Sequence, residues 1–448
     1  MHANRVRIPA ASIPAARGTH RNGNPGRCHC LGNHGFKEAE RRDPTGPIIL
    51  GIESSCDDTG VAIVNSDGRI LGEALATQVE VHAPWGGVVP DLARQAHQAA
   101  IDGLVKRVVG ESGIDPRELS GVAVTIGPGL SLCLKVGALK ARSFAYEHSL
   151  PLVPVHHMEA HALVARMTDR HRTEYPFLCM LASGGHNLLL VVHSVGRYTQ
   201  IGTTLDDSLG EAYDKVARLL GLELNPSGGA ALEALALEGD PDSFDFKVPM
   251  LQHRDCNFSY SGLKTSVRLA IDREVKGEPS EANRQARANI AASFQRVAIL
   301  HLEHRCKRAC EWANEVYPEI DTLVMSGGVA ANSYVRARLE EVASKHQMQL
   351  LCPEPRLCTD NGVMVAWAGL ERFKLGLVDP PPESPAPEED EWFDLRPRWP
   401  LTERVAFQLT RSTPNYSNRK RVYRSLTAMT EDSLNMAGMN AGPAMNIP

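Results

Sequence analysis

Leu50-Gly51-Ile52-Glu53-Ser54-Ser55-Cys56-Asp57-Asp58-Thr59-Gly60-Val61-Ala62-Ile63-Val64 is the stretch on which the fold turns. Its beginning continues Pro47-Ile48-Ile49 as an apolar run that ends in polar turn residues, the pattern of a buried strand. Ser54–Gly60 reads as a turn and Val61–Val64 as a second strand, after which Ser66-Asp67-Gly68 turns into a third over 69–76. The same plan recurs as strand Phe177–Leu181, turn Ala182-Ser183-Gly184-Gly185-His186, strand Leu188–His193, turn Ser194-Val195-Gly196 and strand Arg197–Gly202. Two antiparallel meanders, each followed by helices and further strands, predict a duplicated α/β unit. Such a duplication gives two lobes around a cleft, with ligands gathered at tight turns at strand ends.

Helical spacing marks 90–110, 131–149 after the Gly127-Pro128-Gly129 turn, a helix beginning near His157, and 209–222, 289–313, 333–344 and 363–373. Strands are expected at 122–126, 152–155, 323–325 and 349–352. From Asp379 the chain turns rich in Pro and Glu, and 415–448 shows neither period nor core, so a disordered tail is expected there.

The 448 residues are 43% hydrophobic and 23% charged, an ordinary globular composition. No apolar run reaches the roughly 18 residues needed to cross a bilayer, so no membrane insertion is expected. Charge is uneven. Residues 1–47 hold eight Lys/Arg against three acids and 401–448 hold six against three, which leaves the body between them near −13. Bulk attraction to nucleic acid is therefore excluded for the body, and RNA binding would need a local basic surface or a partner. Lys264 and Arg419-Lys420-Arg421 are the candidates. The first acid is Glu38, and the Arg-, Ala- and Pro-containing stretch before it has no long apolar run, which is the composition of an organelle transit peptide. Cys28 and Cys30 fall in that leader. The other eight cysteines lack zinc-type C-x-x-C pairs, which fits a reducing compartment such as the mitochondrial matrix.

His156-His157-Met158-Glu159-Ala160-His161 places His157 and His161 four apart, on one helical face, where two imidazoles can share an ion. A zinc protease would need H-E-x-x-H, and Glu159 is out of that register. A carboxylate to complete the set stands in Thr359-Asp360-Asn361-Gly362, although Asp360 could equally cap the following helix. Ser183-Gly184-Gly185, Ser227-Gly228-Gly229 and Ser326-Gly327-Gly328 repeat at turns, where glycine lets backbone N–H groups approach phosphate. Three such turns in one α/β chain favour nucleotide binding.

These residues resemble a known family. Leu50–Thr59, His157–His161, Leu181–His186, Asp214-Lys215, Phe258-Ser259-Tyr260-Ser261-Gly262-Leu263-Lys264-Thr265, Ser326–Asn332 and Thr359–Gly362 match, in order, the tRNA N6-adenosine threonylcarbamoyltransferases, once called O-sialoglycoprotein endopeptidases. The match runs from about Ile48 to Leu401. Two departures stand out: the chain lacks an additional glycine after Gly127-Pro128-Gly129-Leu130, as the mitochondrial branch does, and Ala230 replaces a proline common in the family, which would loosen that turn. The ending Asp394-Leu395-Arg396-Pro397-Arg398-Trp399-Pro400-Leu401 also looks mitochondrial.

The resemblance implies a duplicated actin-like ATPase fold of the sugar kinase/Hsp70 type, two lobes around a nucleotide cleft. It implies 1–47 as a transit peptide, 48–162 as the first lobe completed by a helix near 362–376, 163–361 as the second lobe, 377–401 as an extension and 402–448 as a disordered tail. The implied activity is that of an acyltransferase. It moves the threonylcarbamoyl group of threonylcarbamoyl-AMP to N6 of the adenosine 3′ to the anticodon, position 37, of mitochondrial tRNAs reading ANN codons, and AMP leaves. His157, His161 and Asp360 would hold one divalent ion, for which two imidazoles and a carboxylate suit zinc or iron. Leu181, Ala182, Ser183, Gly184, Gly185, Asp214, Gly229, Glu233 and Asn332 would contact the adenylate. No residue is assigned as catalytic base. The expected place is the mitochondrial matrix, and a homodimer is compatible with the resemblance. Metalloprotease and ATP-dependent phosphotransferase are the alternatives.

Overall fold

Two five-stranded sheets carry the chain, each opening with the meander that the sequence repeats. The computed structural model describes residues 46–224, 227–277, 279–386, 394–406 and 424–436, all within the compact unit Pro44–Pro448. The expected transit peptide and the Arg419-Lys420-Arg421 cluster lie outside these residues, apart from the leader's last two positions.

The first sheet has the order β3-β2-β1-β4-β5, made of β1 (Ile48–Glu53), β2 (Asp58–Asn65), β3 (Ile70–Thr77), β4 (Gly121–Gly127) and β5 (Leu152–His156). Central β1 runs antiparallel to β2, with Leu50 opposite Ile63, and parallel to β4, with Leu50 opposite Val122. Covered on both faces, β1 is buried at every position, which is why it reads as a continuous apolar run and not as an alternation. The second sheet repeats the plan as β10-β9-β6-β7-β8: β6 (Phe177–Ala182), β7 (Asn187–Ser194), β8 (Arg197–Thr203), β9 (Thr322–Ser326) and β10 (Gln349–Leu351). Here β6 is central, antiparallel to β7 and parallel to β9. The matching strand order is the physical content of the duplication.

Helices α1 (Val79–His82), α2 (Pro90–Ser112), α3 (Ser131–His148) and α4 (His157–Thr168) belong to the first half of the chain. The second half contributes α5 (Leu209–Leu219), α6 (Gly228–Ala236), α7 (Ser261–Glu274), α8 (Arg284–Val316), α9 (Ser333–Lys345), α10 (Pro355–Cys358) and α11 (Gly362–Lys374). α11 returns to the first sheet and lies across β1 and β2. The crossing is close because glycine stands on both sides. A Cβ on Gly51 would strike the backbone of Ala366, and one on Gly362 the backbone of Val61. The extension after α11 stays on the same sheet, where Asp379 exchanges backbone hydrogen bonds with Leu152 at 2.8 and 3.0 Å and Arg396 N donates to Ile126 O at 2.8 Å.

The tail departs from expectation. Residues 426–436 form a further helix, α12 (Leu426–Met436), which buries Leu426, Thr427 and Thr430. Its start is tied by Leu426 N to Pro400 O at 3.0 Å and Thr427 N to Leu401 O at 3.1 Å, and Thr427 Oγ1 accepts from Tyr198 N at 3.2 Å. Glu431 pairs with Arg404 at 2.7 Å. Three buried side chains are too few to print a helical period, and the anchoring groups are polar, so tertiary bonds and not local pattern make this helix.

Candidate metal centre and adjoining turns

α4 begins where β5 ends. His156 caps it: Nδ1 accepts from Met158 N at 3.1 Å and Nε2 donates to Trp399 O at 3.0 Å. Both nitrogens are thereby committed to a neutral ring, and burial holds its pKa well below the usual value. The next two histidines face the other way. His161 Nε2 lies 3.0 Å and His157 Nε2 3.6 Å from Asp360 Oδ1, with the two rings edge to face at 4.8 Å. One ligand atom from each of the three residues falls within 4.8 Å of the others. Asp360 is free for this role because Asn361, not Asp360, caps α11, its side chain accepting from Met364 N at 2.9 Å.

Behind His157, Nδ1 lies 3.2 Å from Ser55 Oγ and 3.3 Å from Glu53 Oε2. Glu53 is wholly buried at the end of β1, where it also accepts from Ser55 N at 2.7 Å and Thr125 Oγ1 at 2.5 Å. This carboxylate–imidazole backing is the usual means of orienting a metal-binding histidine. Burial alone would lower the His157 pKa, yet Asp360 and Glu53 raise it to about 9. Burial would likewise raise Asp360 and Glu53, but the imidazoles opposite hold both below the usual carboxylate range. Without an ion, the corner balances its two acids with a protonated imidazole, and a divalent cation can take that proton's place. Glu159 is turned away. It is buried and accepts from Gly196 N at 2.7 Å, Tyr198 Oη at 2.8 Å and Arg372 Nη1 at 3.0 Å, so it cannot serve as the base of a protease.

The nine residues expected to contact the adenylate lie on elements that touch one another in a circuit. Leu181 and Ala182 end β6, and a Cβ on Gly327 would strike Ala182 O. Gly328 stands against Thr359, next to Asp360, at 3.9 Å from a built Cβ. Asn332 caps α9 by accepting from Val335 N at 2.9 Å, and Glu233 accepts from Ser333 N at 3.1 Å and Ser333 Oγ at 2.7 Å. Asp214 on α5 accepts from the backbone of Gly228 and Gly229 at the start of α6, although burial still raises its pKa. The circuit closes through Ser208 Oγ, which donates to Gly184 O at 2.7 Å, and through Gly210, which leaves no room for a Cβ beside Ser183 O. Ser183 Oγ accepts from His186 N at 3.2 Å. His186 ends the same turn: the surrounding protein crowds its ring and lowers its pKa to about 4, with His157 and His161 adding to the effect. The Ser-Gly-Gly turns and the three candidate ligands thus form one continuous wall.

Some expectations change. Ala230 does not loosen its turn, because its N–H donates to Ser227 Oγ at 3.2 Å, a bond that a proline could not make. Lys264 is ion-paired with Asp207, which also holds Lys215 at 2.8 Å, so its charge is largely spent locally. Glu53 and Ser55 received no role from sequence, and the available signal was a carboxylate closing an apolar central strand, where it must be paired. His97 was missed altogether. Fully buried on α2, it lies 2.7 Å from Thr59 Oγ1 and 3.0 Å from Cys56 O, so it braces the turn beside Glu53.

Residues 69–367 match the family model described as TsaD: tRNA N6-adenosine threonylcarbamoyltransferase. A relative in Arabidopsis thaliana, named "Probable tRNA N6-adenosine threonylcarbamoyltransferase, mitochondrial", is 52% identical over 394 residues, covering 86% of this chain and 81% of its own. The mitochondrial enzyme of that name in Xenopus tropicalis is 45% identical, covering 74% of this chain and 84% of its own. A protein of the same name without the mitochondrial label, from Rhodopseudomonas palustris (strain HaA2), is 45% identical over 74% of this chain and 90% of its own. Among solved structures, T. kodakarensis HypF superposes with a TM-score of 0.50 at 15% identity, covering 74% of this chain and 48% of that one, which speaks to the fold alone.

Proposed function

The chain belongs to the tRNA N6-adenosine threonylcarbamoyltransferase family, and on that premise we propose that it transfers the threonylcarbamoyl group of threonylcarbamoyl-AMP to N6 of adenosine 37 in mitochondrial tRNAs that read ANN codons. The observation that carries this reading is the meeting of His157, His161 and Asp360 on a wall shared with the Ser-Gly-Gly turns. The donor set of two imidazoles and one carboxylate fits one divalent ion, zinc or iron. Bound there, the ion would supply charge neutralisation for a phosphate.

The rest of the chemistry falls to the chain. The substrate is a mixed carboxyl–phosphate anhydride, already activated, so positioning matters more than a nucleophilic side chain. The adenine amine attacks the carbamoyl carbon, the bond from that carbon to the phosphate oxygen breaks, and AMP departs with the electron pair. Gly184 and Gly185 offer backbone N–H groups to phosphate, Gly229 holds the Asp214 carboxylate in place, and Asp214 and Glu233 suit ribose hydroxyls. Leu181, Ala182, Ser183 and Asn332 shape the remaining wall. No described side chain stands out as the base that takes the amine proton. Residues 48–162 with 362–376 make one lobe in this reading and 163–361 the other.

The mitochondrial names of relatives and the basic, acid-poor leader support a mitochondrial place, with the matrix as the compartment where tRNA is met. A fusion lacking residues 1–47 should remain outside mitochondria. A homodimer is the assembly this reading allows, and light scattering of the purified chain checks it. Among the described residues no helix is long and apolar enough to cross a membrane. The deciding experiment incubates purified protein with threonylcarbamoyl-AMP and unmodified mitochondrial tRNA, then digests the RNA for nucleoside mass spectrometry. Absence of N6-threonylcarbamoyladenosine, with the metal present, would sink the proposal.

A further inference from the structure

The face of α4 opposite His157 and His161 carries a buried set of charges that the transfer chemistry does not use. Glu159 is wholly buried and takes three donors: Arg372 Nη1 at 3.0 Å, Gly196 N at 2.7 Å and Tyr198 Oη at 2.8 Å. Seven residues along the same helix, Arg166 Nε donates to Glu371 Oε1 at 2.9 Å. Tyr175 Oη donates to Glu371 Oε2 at 3.1 Å, and the Arg166 guanidinium lies 3.9 Å from the centre of the Tyr175 ring. Glu371 and Arg372 are consecutive in the last turn of α11. One end of α11 therefore grips α4 at two points, with ion pairs of opposite polarity.

The other end of α11 begins two residues after Asp360. With 13 residues the helix is about 20 Å long at roughly 1.5 Å per residue. Two rigid helices are thus bolted together at one end of α11, and at its other end they present an imidazole pair and a carboxylate to a common point. Gly196 and Tyr198 come from the β7–β8 hairpin, and Tyr175 stands two residues before β6, so the same bolts fasten both helices to the second sheet.

Buried ion pairs add little net stability, because the attraction roughly offsets the cost of taking both charges out of water. Their attested use is to fix register. Alternating signs serve that use here, since a shift of α4 along its own axis by the seven residues between Glu159 and Arg166 would bring like charges together. We propose that Glu159 and Arg372 are positioning residues of the metal centre, whose ion pair sets the separation between the His157/His161 imidazoles and the Asp360 carboxylate and so the affinity for the ion. This inference rests on the metal reading above.

The test is competition for zinc between the metal-stripped full-length protein and a chromophoric chelator, well below the melting temperature, with thermal melts recorded alongside. Glu159→Gln should weaken zinc binding by about tenfold or more, the scale typical of residues that orient ligands. Arg372→Met should do the same, and the double variant should lose no more than either single one. A control, His301→Gln in the second lobe, should lower the melting temperature without moving zinc affinity. If Glu159→Gln melts earlier yet binds zinc within about twofold of the parent protein, the pair is structural only and the inference is overturned. Should that variant fail to fold, Arg372→Lys keeps the charge but shortens its reach to Glu159, which loosens the ion pair itself. A weakening of about threefold is then expected, and unchanged affinity overturns the inference. A parent protein that takes up no zinc would remove the metal centre itself, a different failure from one confined to Glu159.

Discussion

The two ends of the cleft wall are built on different principles. On the first-lobe side the working groups are side chains: His157 and His161 are buried, and they are held by Glu53, Ser55 and Asp360 across separations of about a hundred residues or more. On the second-lobe side they are backbone groups and short polar side chains at helix starts and turns, exposed or half-buried and held by neighbours on adjacent loops. An ion needs a few ligands at fixed separations, which calls for a rigid, dry corner. A nucleotide needs many donors spread over its length, which open turns supply while leaving an entrance.

The largest test of this contrast is Asp360→Ala. It should abolish metal binding and lower transfer by about a hundredfold or more, since charge stabilisation by a metal is worth several kcal/mol. The lost partner of the two imidazoles should cost about 1–3 kcal/mol of stability, although the cap of α11 is Asn361 and is untouched. Adding His161→Ala should cost little more, as expected when residues act on one ion. Full metal content in the single variant, measured by elemental analysis, would break the comparison at its metal-binding end.

Next come two glycines that look alike in sequence. A Cβ at Gly228 would run into the Asp214 carboxylate, so Gly228→Ala should cost about 1–3 kcal/mol in denaturant melts. A Cβ at Gly185 meets nothing within 4 Å, so Gly185→Ala should change stability by no more than about 0.5 kcal/mol while raising the KM for the adenylate. Equal stability losses would show that both glycines serve packing.

Buried histidines give the pH arm. In metal-stripped protein, His157 has its pKa raised from 6.5 to about 9, so its contribution to stability is complete below pH 6.5 and is lost as pH rises through 9. His301 is the reverse case: burial and the neighbouring Arg305 lower its pKa to about 3. The unfolded chain then takes up a proton below pH 6.5 that the folded chain refuses until about pH 3, so stability falls as pH drops through that window. His157→Gln should flatten the alkaline limb of melting temperature against pH, and His301→Gln the acid limb. Both variants altering one limb would refute the distinction. A small effect is expected for Glu233→Ala as well, which removes the acceptor of Ser333 N and Oγ and should cost roughly 0.5–1 kcal/mol in thermal melts.

What the sequence disclosed follows the same division. The meanders and Ser-Gly-Gly turns were legible because strand alternation, turn residues and caps are local properties. His157 and His161 were visible as a pair because helical spacing is local too. Glu53 was in view and had no role, since nothing within ten residues of it announces a histidine about a hundred positions away. His97 sits in an amphipathic helix where one polar residue on the buried face looks like noise. Lys264 read as a free cation because Asp207, 57 residues earlier, gives no sign of reaching it. α12 escaped for the opposite reason: its few buried positions make sense only against β8 and residues 400–401.

The span of the chain enclosed by the metal corner bears on when the protein becomes competent. His161 and Asp360 are 199 residues apart, and His156 and the carbonyl of Trp399 that fixes its ring are 243 apart. A chain emerging N-terminus first, from a ribosome or through a translocation pore, exposes both imidazoles and Glu53 while the carboxylate opposite them has yet to appear. Until α11 and the segment around Trp399 arrive, α4 has neither its third ligand nor the contact that caps its first turn. The cleft is therefore finished only late in biogenesis, and an unfinished chain carries two histidines that can meet an ion but lack the geometry to select one.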